Sequence, residues 1–129
     1  MANRAQDWLR QALRDLDQAL DSRAAGRHEW ACFAAHQAAE KAVKACHLAK
    51  GQEAWGHVVR RLLEELPVEV TRALLDRARV LDSFYVPTRY PNGHPAGAPF
   101  EHYGDLQSSG AVDHARAIIE FCRTEMAGS

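Results

Sequence analysis

Apolar residues recur every three or four positions along most of the chain, which is the pattern of α-helices that bury one face. The first such stretch runs from Arg4 to about Ser22. Its apolar side is formed by Trp8, Leu9, Ala12, Leu13, Leu16, Ala19 and Leu20. Asn3 precedes the stretch and is a candidate N-cap, and Gly26 follows it as a break. The pattern predicts one amphipathic helix before Gly26.

The second stretch, from about His28 to Lys50, is rich in alanine and apolar around much of its circumference. Such a composition is expected of a helix at the centre of a bundle. A seam of polar residues nevertheless follows one side of it at helical spacing. The seam consists of Gln37, Glu40, Lys41, Lys44 and His47.

Three further helices complete the predicted pattern. A short one runs from about His57 to Leu66 and is ended by Pro67, and the next begins near Val70 and stops before Pro87. The last covers about residues 111 to 126. No stretch alternates with a period of two, so no β-sheet is expected. The sequence predicts an all-α protein: an antiparallel up-and-down bundle of four long helices and one short helix, in a single domain of residues 1–129.

Residues 86–110 break the helical pattern, with prolines at positions 87, 91, 95 and 99 and interspersed glycines. Loops of this length inside a compact domain are usually functional or disordered. The arginine, histidines and tyrosines of this segment favour a functional loop.

Composition and charge limit which partners the protein can bind and in which cellular compartment it is expected. The formal net charge of −1 excludes a whole-protein field that would attract nucleic acid, so any polyanion site must be a local patch. Three cysteines without a CxxC pair predict free, buried thiols in a reducing compartment. No apolar run is long enough to cross a bilayer and the N-terminus is charged, so we expect a cytoplasmic protein that does not bind membranes. Trp8 and Trp30 are expected in the core.

Three motifs carry candidate chemistry. Arg89 and His94 are separated by four residues directly beyond the end of a helix, residues 37–45 read QAAEKAVKA in the second helix, and Tyr85 precedes the Arg89-Tyr90-Pro91 string. In their order and spacing these motifs resemble the HEPN family, the higher eukaryote and prokaryote nucleotide-binding domain. Members are small helical bundles, many of which carry an arginine, four to six residues and a histidine after a core helix. The resemblance spans nearly the whole chain.

The resemblance implies a metal-independent endoribonuclease without a cofactor, often the toxin of a pair whose antitoxin is a small nucleotidyltransferase. Two copies of the motif would meet across a homodimer. Arg89 would hold the phosphate and His94 would act as general acid or base, which suits a guanidinium and an imidazole chemically. In some toxin members a tyrosine within this motif is adenylylated by the partner, and Tyr90 is the candidate here. Tyr90 could also stack on a base of the RNA.

Other residues have both a functional and a structural interpretation. Contact with RNA, a nucleotide or the partner is one role for Gln37, Lys41, Lys44, Tyr85 and His102. A polar network between helices, including a Glu40–Lys44 pair four residues apart, is the favoured role for the second-helix residues. His36 and Glu40 are the only pair at metal-ligand helical spacing, and no metal site is expected.

Two other function classes remain open from the sequence. In the first, the same loop and the second-helix lysines bind a nucleotide or a partner protein without cleaving RNA. In the second, the chain is a purely structural helical adaptor, and substitutions at Arg89 and His94 change nothing.

Overall fold

The computed structural model describes residues 3–128, which form five α-helices and two single-turn 3-10 helices and contain no β-strand. The helices are α1 (Ala5–Ala24), α2 (His28–Ala49), α3 (Val59–Glu64), α4 (Arg72–Asp82) and α5 (Asp105–Ala127). The 3-10 helices cover Pro91–Gly93 and Pro99–Glu101. The predicted all-α class, with four longer helices and one short helix, is confirmed.

The alanine-rich α2 is the centre of the bundle. It packs mainly against α1 on one side and α5 on the other. Seven of its alanines are buried: Ala31, Ala34, Ala35, Ala38, Ala39, Ala42 and Ala45. Their small side chains let the neighbouring helices approach closely. The tight turn from α1 into α2 uses Gly26 with a φ of 77°, a backbone conformation that residues with a Cβ rarely adopt.

The two middle helices are shorter than their apolar patterns predict. α3 covers six residues, and α4 begins at Arg72 because the Thr71 hydroxyl accepts the backbone N–H of Leu74 as an N-cap. α4 ends at Asp82, and turns carry the chain from there to Thr88.

The last helix begins at Asp105, six residues before the predicted start at Ala111, so the irregular segment ends at Gly104. The prediction was wrong here because residues 105–110 include a glycine and only one apolar residue, Leu106, which gives no three-and-four pattern. In the fold, the Gln107 side chain accepts the backbone N–H of Gly104 at 2.9 Å, which supports the first turn of α5. The residues between α4 and α5 are therefore 83–104.

The cysteine prediction is confirmed and one tryptophan prediction is wrong. Cys32, Cys46 and Cys122 are free and buried, and burial raises the pKa of Cys32 to about 12, so that this thiol stays protonated. Trp30 is 48% exposed instead of buried, because it lies in the first turn of α2, where its ring makes a T-shaped contact with Phe33. Of the helices in residues 3–128, none combines the length and the hydropathy that spanning a bilayer requires.

His114 makes the stability of the fold depend on pH. Arg77 donates a hydrogen bond to its Nδ1 at 3.2 Å, an arrangement that requires the neutral ring. Burial, and next the charge of Arg77, lowers the pKa of His114 below its ordinary value of 6.5, while Asp113 acts in the opposite direction.

The unfolded chain therefore binds a proton at His114 more readily than the folded chain does. The stability that results is present above pH 6.5 and is lost as the pH falls below that value. We expect His114→Gln to lose less stability than the wild type between pH 7 and pH 5, measured as the urea midpoint at each pH. An unchanged pH dependence in the variant would contradict this assignment.

Candidate functional site

The side chain of Arg89 is held between aromatic rings beyond the end of α4. Its Nε donates to the Tyr85 carbonyl at 2.8 Å, and its Cζ lies 4.4 Å from the ring centre of Phe33 and 4.7 Å from that of Tyr85. Tyr90 adds a third ring at 5.3 Å. Such cation–π contacts fix the plane of a guanidinium. Within residues 3–128, neither Nη1 nor Nη2 makes a hydrogen bond, so both nitrogens are available to an anion.

His94 follows Arg89 by one tight turn. The turn, Pro91–Gly93, brings the backbone back against Pro87, and a Cβ at Gly93 would lie only 2.9 Å from the Pro87 Cα. Glycine is therefore needed at position 93 for this close approach. The approach lets the His94 ring donate from Nε2 to the Pro87 carbonyl at 2.7 Å.

A second imidazole covers the face of His94. The ring of His102 stacks on that of His94 with centres 4.0 Å apart, and it too donates from Nε2 to a carbonyl, that of Ala96, at 2.6 Å. Since Nε2 is the donor, Nδ1 is the nitrogen that can accept a proton in the neutral form of each ring. Tyr103 meets the edge of His94 at 5.7 Å. Burial, and to a lesser degree Cys32, raises the pKa of Tyr103, so this wall of the site stays uncharged.

Arg89 and His94 share a segment but have different neighbours. Arg89 packs on Phe33 of α2 and on Tyr85 in the turns that follow α4, whereas His94 packs on His102 and Tyr103. In the part of the chain that the structure describes, no hydrogen bond joins the two side chains. Tyr85 and Tyr90 both belong to the Arg89 environment, and His102 belongs to that of His94.

The polar seam of α2 makes contacts inside the protein. Lys41 bonds to Asp15 of α1, Lys44 bonds to Glu40 at 3.3 Å, and the Gln37 amide meets the His36 ring at 3.2 Å. The contacts of Lys41 and Lys44 are the interhelical pair and the i,i+4 pair that the structural interpretation predicts, whereas Gln37 meets its neighbour on the same helix.

Gln37 and Lys41 also line an open cleft of about 450 Å³ between α1 and α2. Arg27, Trp30 and Phe33 are among the other lining residues. Phe33 is shared, because its ring also carries the Arg89 guanidinium. Two aromatic rings and Arg27 thus lie in the cleft next to Arg89, together with the Lys41–Asp15 pair.

A hydrogen-bonded network beside Tyr85 contains two residues that the sequence did not indicate as functional, Asp82 and His57. The Asp82 carboxylate accepts the backbone N–H groups of Val59 at 2.7 Å and Arg60 at 3.0 Å, which caps the start of α3. It also lies 3.1 Å from Nε2 of the fully buried His36. His36 further meets the His57 carbonyl at 3.0 Å.

His57 itself is bonded to α2. Its Nδ1 lies 3.0 Å from Oε1 of Glu40, and its ring stacks on Tyr85 with centres 5.0 Å apart. The partners of His57 lie 17 and 28 residues away along the chain, so no periodicity or short motif indicates them. The only available signal was Glu40, an acidic residue in the seam of an otherwise alanine-rich helix. Among residues 3–128, no three histidine, cysteine or acidic side chains come together as a possible metal site.

Comparison with known proteins gives one family and several similar folds. Residues 5–125 match the family model of the HEPN domain. The crystal structure of TT1696 from Thermus thermophilus has 49% sequence identity and a TM-score of 0.94, over 96% of this chain and 99% of that one.

Two further crystal structures are similar. An archaeal HEPN homologue, ST0689, is 34% identical with a TM-score of 0.84, over 97% of this chain and 99% of its own. A HEPN domain protein from Thermotoga maritima is 35% identical with a TM-score of 0.74, over 92% and 95% of the two chains. The comparison with curated proteins gives no match.

Proposed function

Because the chain belongs to the HEPN domain family, we propose that it is a metal-independent endoribonuclease centred on Arg89 and His94. The main support for this proposal is the environment of the Arg89 side chain. Its guanidinium is oriented by three aromatic rings and one backbone carbonyl, while both Nη groups remain open to a phosphate. Preorganised donors of this kind stabilise the charge that develops on a phosphate in the transition state.

The reaction requires only groups that the chain and the RNA supply. The ribose 2′-hydroxyl attacks the adjacent phosphorus, the bond from phosphorus to the 5′-oxygen breaks, and a 2′,3′-cyclic phosphate and a 5′-hydroxyl result. His94 moves a proton in this exchange through Nδ1, the nitrogen that its bond to Pro87 leaves free. No cofactor takes part in this scheme.

The cleft between α1 and α2 supports RNA as the substrate. Arg27 brings positive charge, and Trp30 and Phe33 bring aromatic surface, to this cleft, while Lys41 in its wall is paired with Asp15. Phe33 also contacts the Arg89 guanidinium. Proteins that bind single strands combine such charge with stacking platforms. Tyr90 is 50% exposed beside Arg89 and is suited to stack on a base.

We further propose that the active form is a homodimer whose interface surrounds the motif. Trp30, Val86 and Tyr90 are exposed apolar side chains close to Arg89 in sequence or space, and each is 46 to 50% exposed. Burying them against a second copy would remove this apolar surface from water. We expect the wild type to sediment as a dimer and Val86→Glu as a monomer. A monomeric wild type at micromolar concentration would contradict the homodimer.

The family resemblance also supports a nucleotidyltransferase antitoxin as the regulator, with Tyr90 as the residue it adenylylates. The exposure of Tyr90 supports this role, because the hydroxyl must reach another enzyme's active site. Mass spectrometry of the chain produced together with such a partner would place the nucleotide on Tyr90 or elsewhere.

The proposed reaction is tested by incubating mixed cellular RNA with the purified protein in EDTA. We expect cleavage by the wild type, and a loss of about 100-fold or more in His94→Ala, the contribution typical of a proton-transferring side chain. The cleaved ends should carry cyclic phosphates. Cleavage that persists undiminished in His94→Ala would overturn the role of His94.

One observation favours a second function, that of a non-catalytic module that binds a nucleotide or partner. His94 is already bonded to Pro87 and stacked on His102, and no hydrogen bond brings it to Arg89 within the described residues. If the wild type binds RNA but does not cleave it, this second function replaces the first.

A further inference from the structure

The Glu40–His57 pair has the form of a proton-transferring dyad. The Glu40 side chain is only 6% exposed, and its two oxygens lie 3.0 Å from His57 Nδ1 and 3.3 Å from Lys44 Nζ. The His57 side chain, in contrast, is 57% exposed. A carboxylate can only accept, so Nδ1 of His57 is the protonated nitrogen and Nε2 carries the free electron pair. Among the described residues Nε2 has no hydrogen-bond partner, so it is open to a ligand.

The position of this dyad connects it to Arg89. The His57 ring stacks on Tyr85 with centres 5.0 Å apart and an interplanar angle of 17°, and the Arg89 Cζ lies 4.7 Å from the centre of the same Tyr85 ring. The Tyr85 ring is therefore shared by His57, whose Nε2 is open, and by the Arg89 guanidinium, whose two Nη groups make no hydrogen bond within the described residues. The backbone of His57 is fixed as well, since its carbonyl meets the buried His36 ring at 3.0 Å.

Cleavage of RNA by its own 2′-hydroxyl needs two proton transfers. A base removes the proton of the 2′-hydroxyl, and an acid protonates the departing 5′-oxygen. His94 can perform one of these steps. A second group is needed for the other step, and His57 presents an open imidazole nitrogen while packing on the same Tyr85 ring as the Arg89 guanidinium.

We propose that His57 is a second catalytic residue, the general base that removes the 2′-hydroxyl proton through Nε2, while protonated His94 delivers a proton to the 5′-oxygen. This inference rests on the proposed ribonuclease function. Glu40 is the positioning residue: it fixes the tautomer of His57 and stabilises the imidazolium that forms. In each cleavage His57 gains one proton and His94 loses one. The enzyme returns to its starting state when His57 releases a proton to solvent and His94 takes one up.

The first test uses a DNA oligonucleotide that contains a single ribonucleotide, so that only one bond can be cut. We expect His57→Ala and His57→Gln to lower kcat about 100-fold, a typical contribution of general base catalysis, and added imidazole to restore part of the activity of the alanine variant. His114→Gln, a histidine bonded to Arg77 on another face of the bundle, is the control and should keep the wild-type rate. Glu40→Gln should lower kcat without changing KM, whereas a group that only binds RNA would change KM.

The second test separates base from acid. In an oligonucleotide whose 5′-bridging oxygen at the cleavable bond is sulfur, the leaving group needs no protonation. The substitution should restore the activity of His94→Ala towards that of the wild type and leave His57→Ala slow. Rescue of the His57 variant instead would overturn its assignment as the base, and a wild-type rate in His57→Ala with natural RNA would overturn its catalytic role altogether.

A binding measurement distinguishes failure of this inference from failure of the proposed function. Addition of uridine 3′-monophosphate should shift the NMR signal of the His57 ring in wild type, and the shift should be lost in Arg89→Ala. If wild-type protein cleaves RNA but the His57 variants are unimpaired, only the inference fails. If the wild type cleaves nothing, the ribonuclease function and the base role of His57 fail together, and a shifted His57 signal would leave a nucleotide-binding site. Unfolding curves of each variant confirm that the fold is kept.

Discussion

Replacing Arg89 with lysine should lower the rate of RNA cleavage about 100-fold although the positive charge is kept, and Arg89→Ala should lower it about 1000-fold. The reason is geometric. A lysine side chain cannot lie flat between the rings of Phe33 and Tyr85. Lysine also lacks the Nε of arginine, so it cannot donate to the Tyr85 carbonyl and at the same time present two further N–H groups to a phosphate in the same geometry.

Initial rates on the single-ribonucleotide substrate measure this effect. Arg79→Lys is the matched control, because Arg79 lies on the exposed side of α4 and pairs only with the exposed Asp76 at 3.3 Å. Its rate should equal that of the wild type. If Arg89→Lys retained full activity, charge alone would be sufficient at this position and the stacked guanidinium would have no special role.

The second large effect concerns stability. Asp82→Ala should lower the free energy of unfolding by about 2 to 4 kcal/mol, because one carboxylate caps α3 and also faces a buried histidine. Its removal leaves the backbone N–H groups of Val59 and Arg60 without their acceptor and takes one of the partners of His36. The network also fixes the backbone at His57, so the variant should lose cleavage activity below its unfolding temperature.

Urea unfolding at pH 7 gives the measurement, with Asp76→Ala as the control on the same helix. The pair of Asp76 with Arg79 is exposed, and exposed pairs contribute about 0.2 to 1 kcal/mol, so this variant should unfold close to the wild type. Equal losses in the two variants would show that Asp82 acts as an ordinary surface carboxylate.

The fold was predictable because its information is local. The three-and-four spacing of apolar residues places α1, α2 and α4 within a few residues of their observed bounds, and prolines 67 and 87 limit the middle helices. The first turn of α5 was not predictable from apolar spacing, since residues 105–110 expose Leu106 and are held by the Gln107 contact with Gly104. The exposure of Trp30 was equally inaccessible, because it depends on where the neighbouring helices end.

The residues of the candidate site fall into the same two groups: those that a local sequence pattern indicates and those that only the fold brings together. Arg89 and His94 could be named because their spacing, together with the motif of residues 37–45, resembles the HEPN family. His102 could be named as well, because it lies in the same loop as His94, although its stacking on His94 could not. The bond of His57 to Glu40 and its stacking on Tyr85 arise only when distant segments meet, so no local pattern indicates them. The seam of α2 was visible, yet which of its members meets which helix could not be read from spacing alone.

The alanine interior of α2 has an evolutionary consequence. Seven small side chains of α2 are buried in the core, and a larger residue at one of these positions would overpack it at a cost of about 1 to 3 kcal/mol. Change in this core must therefore proceed by compensated pairs, one residue growing as its neighbour across the helix contact shrinks. Among relatives, pairs of residues that covary should be concentrated at these helix contacts. Residues on the exposed faces of the outer helices should vary independently of one another.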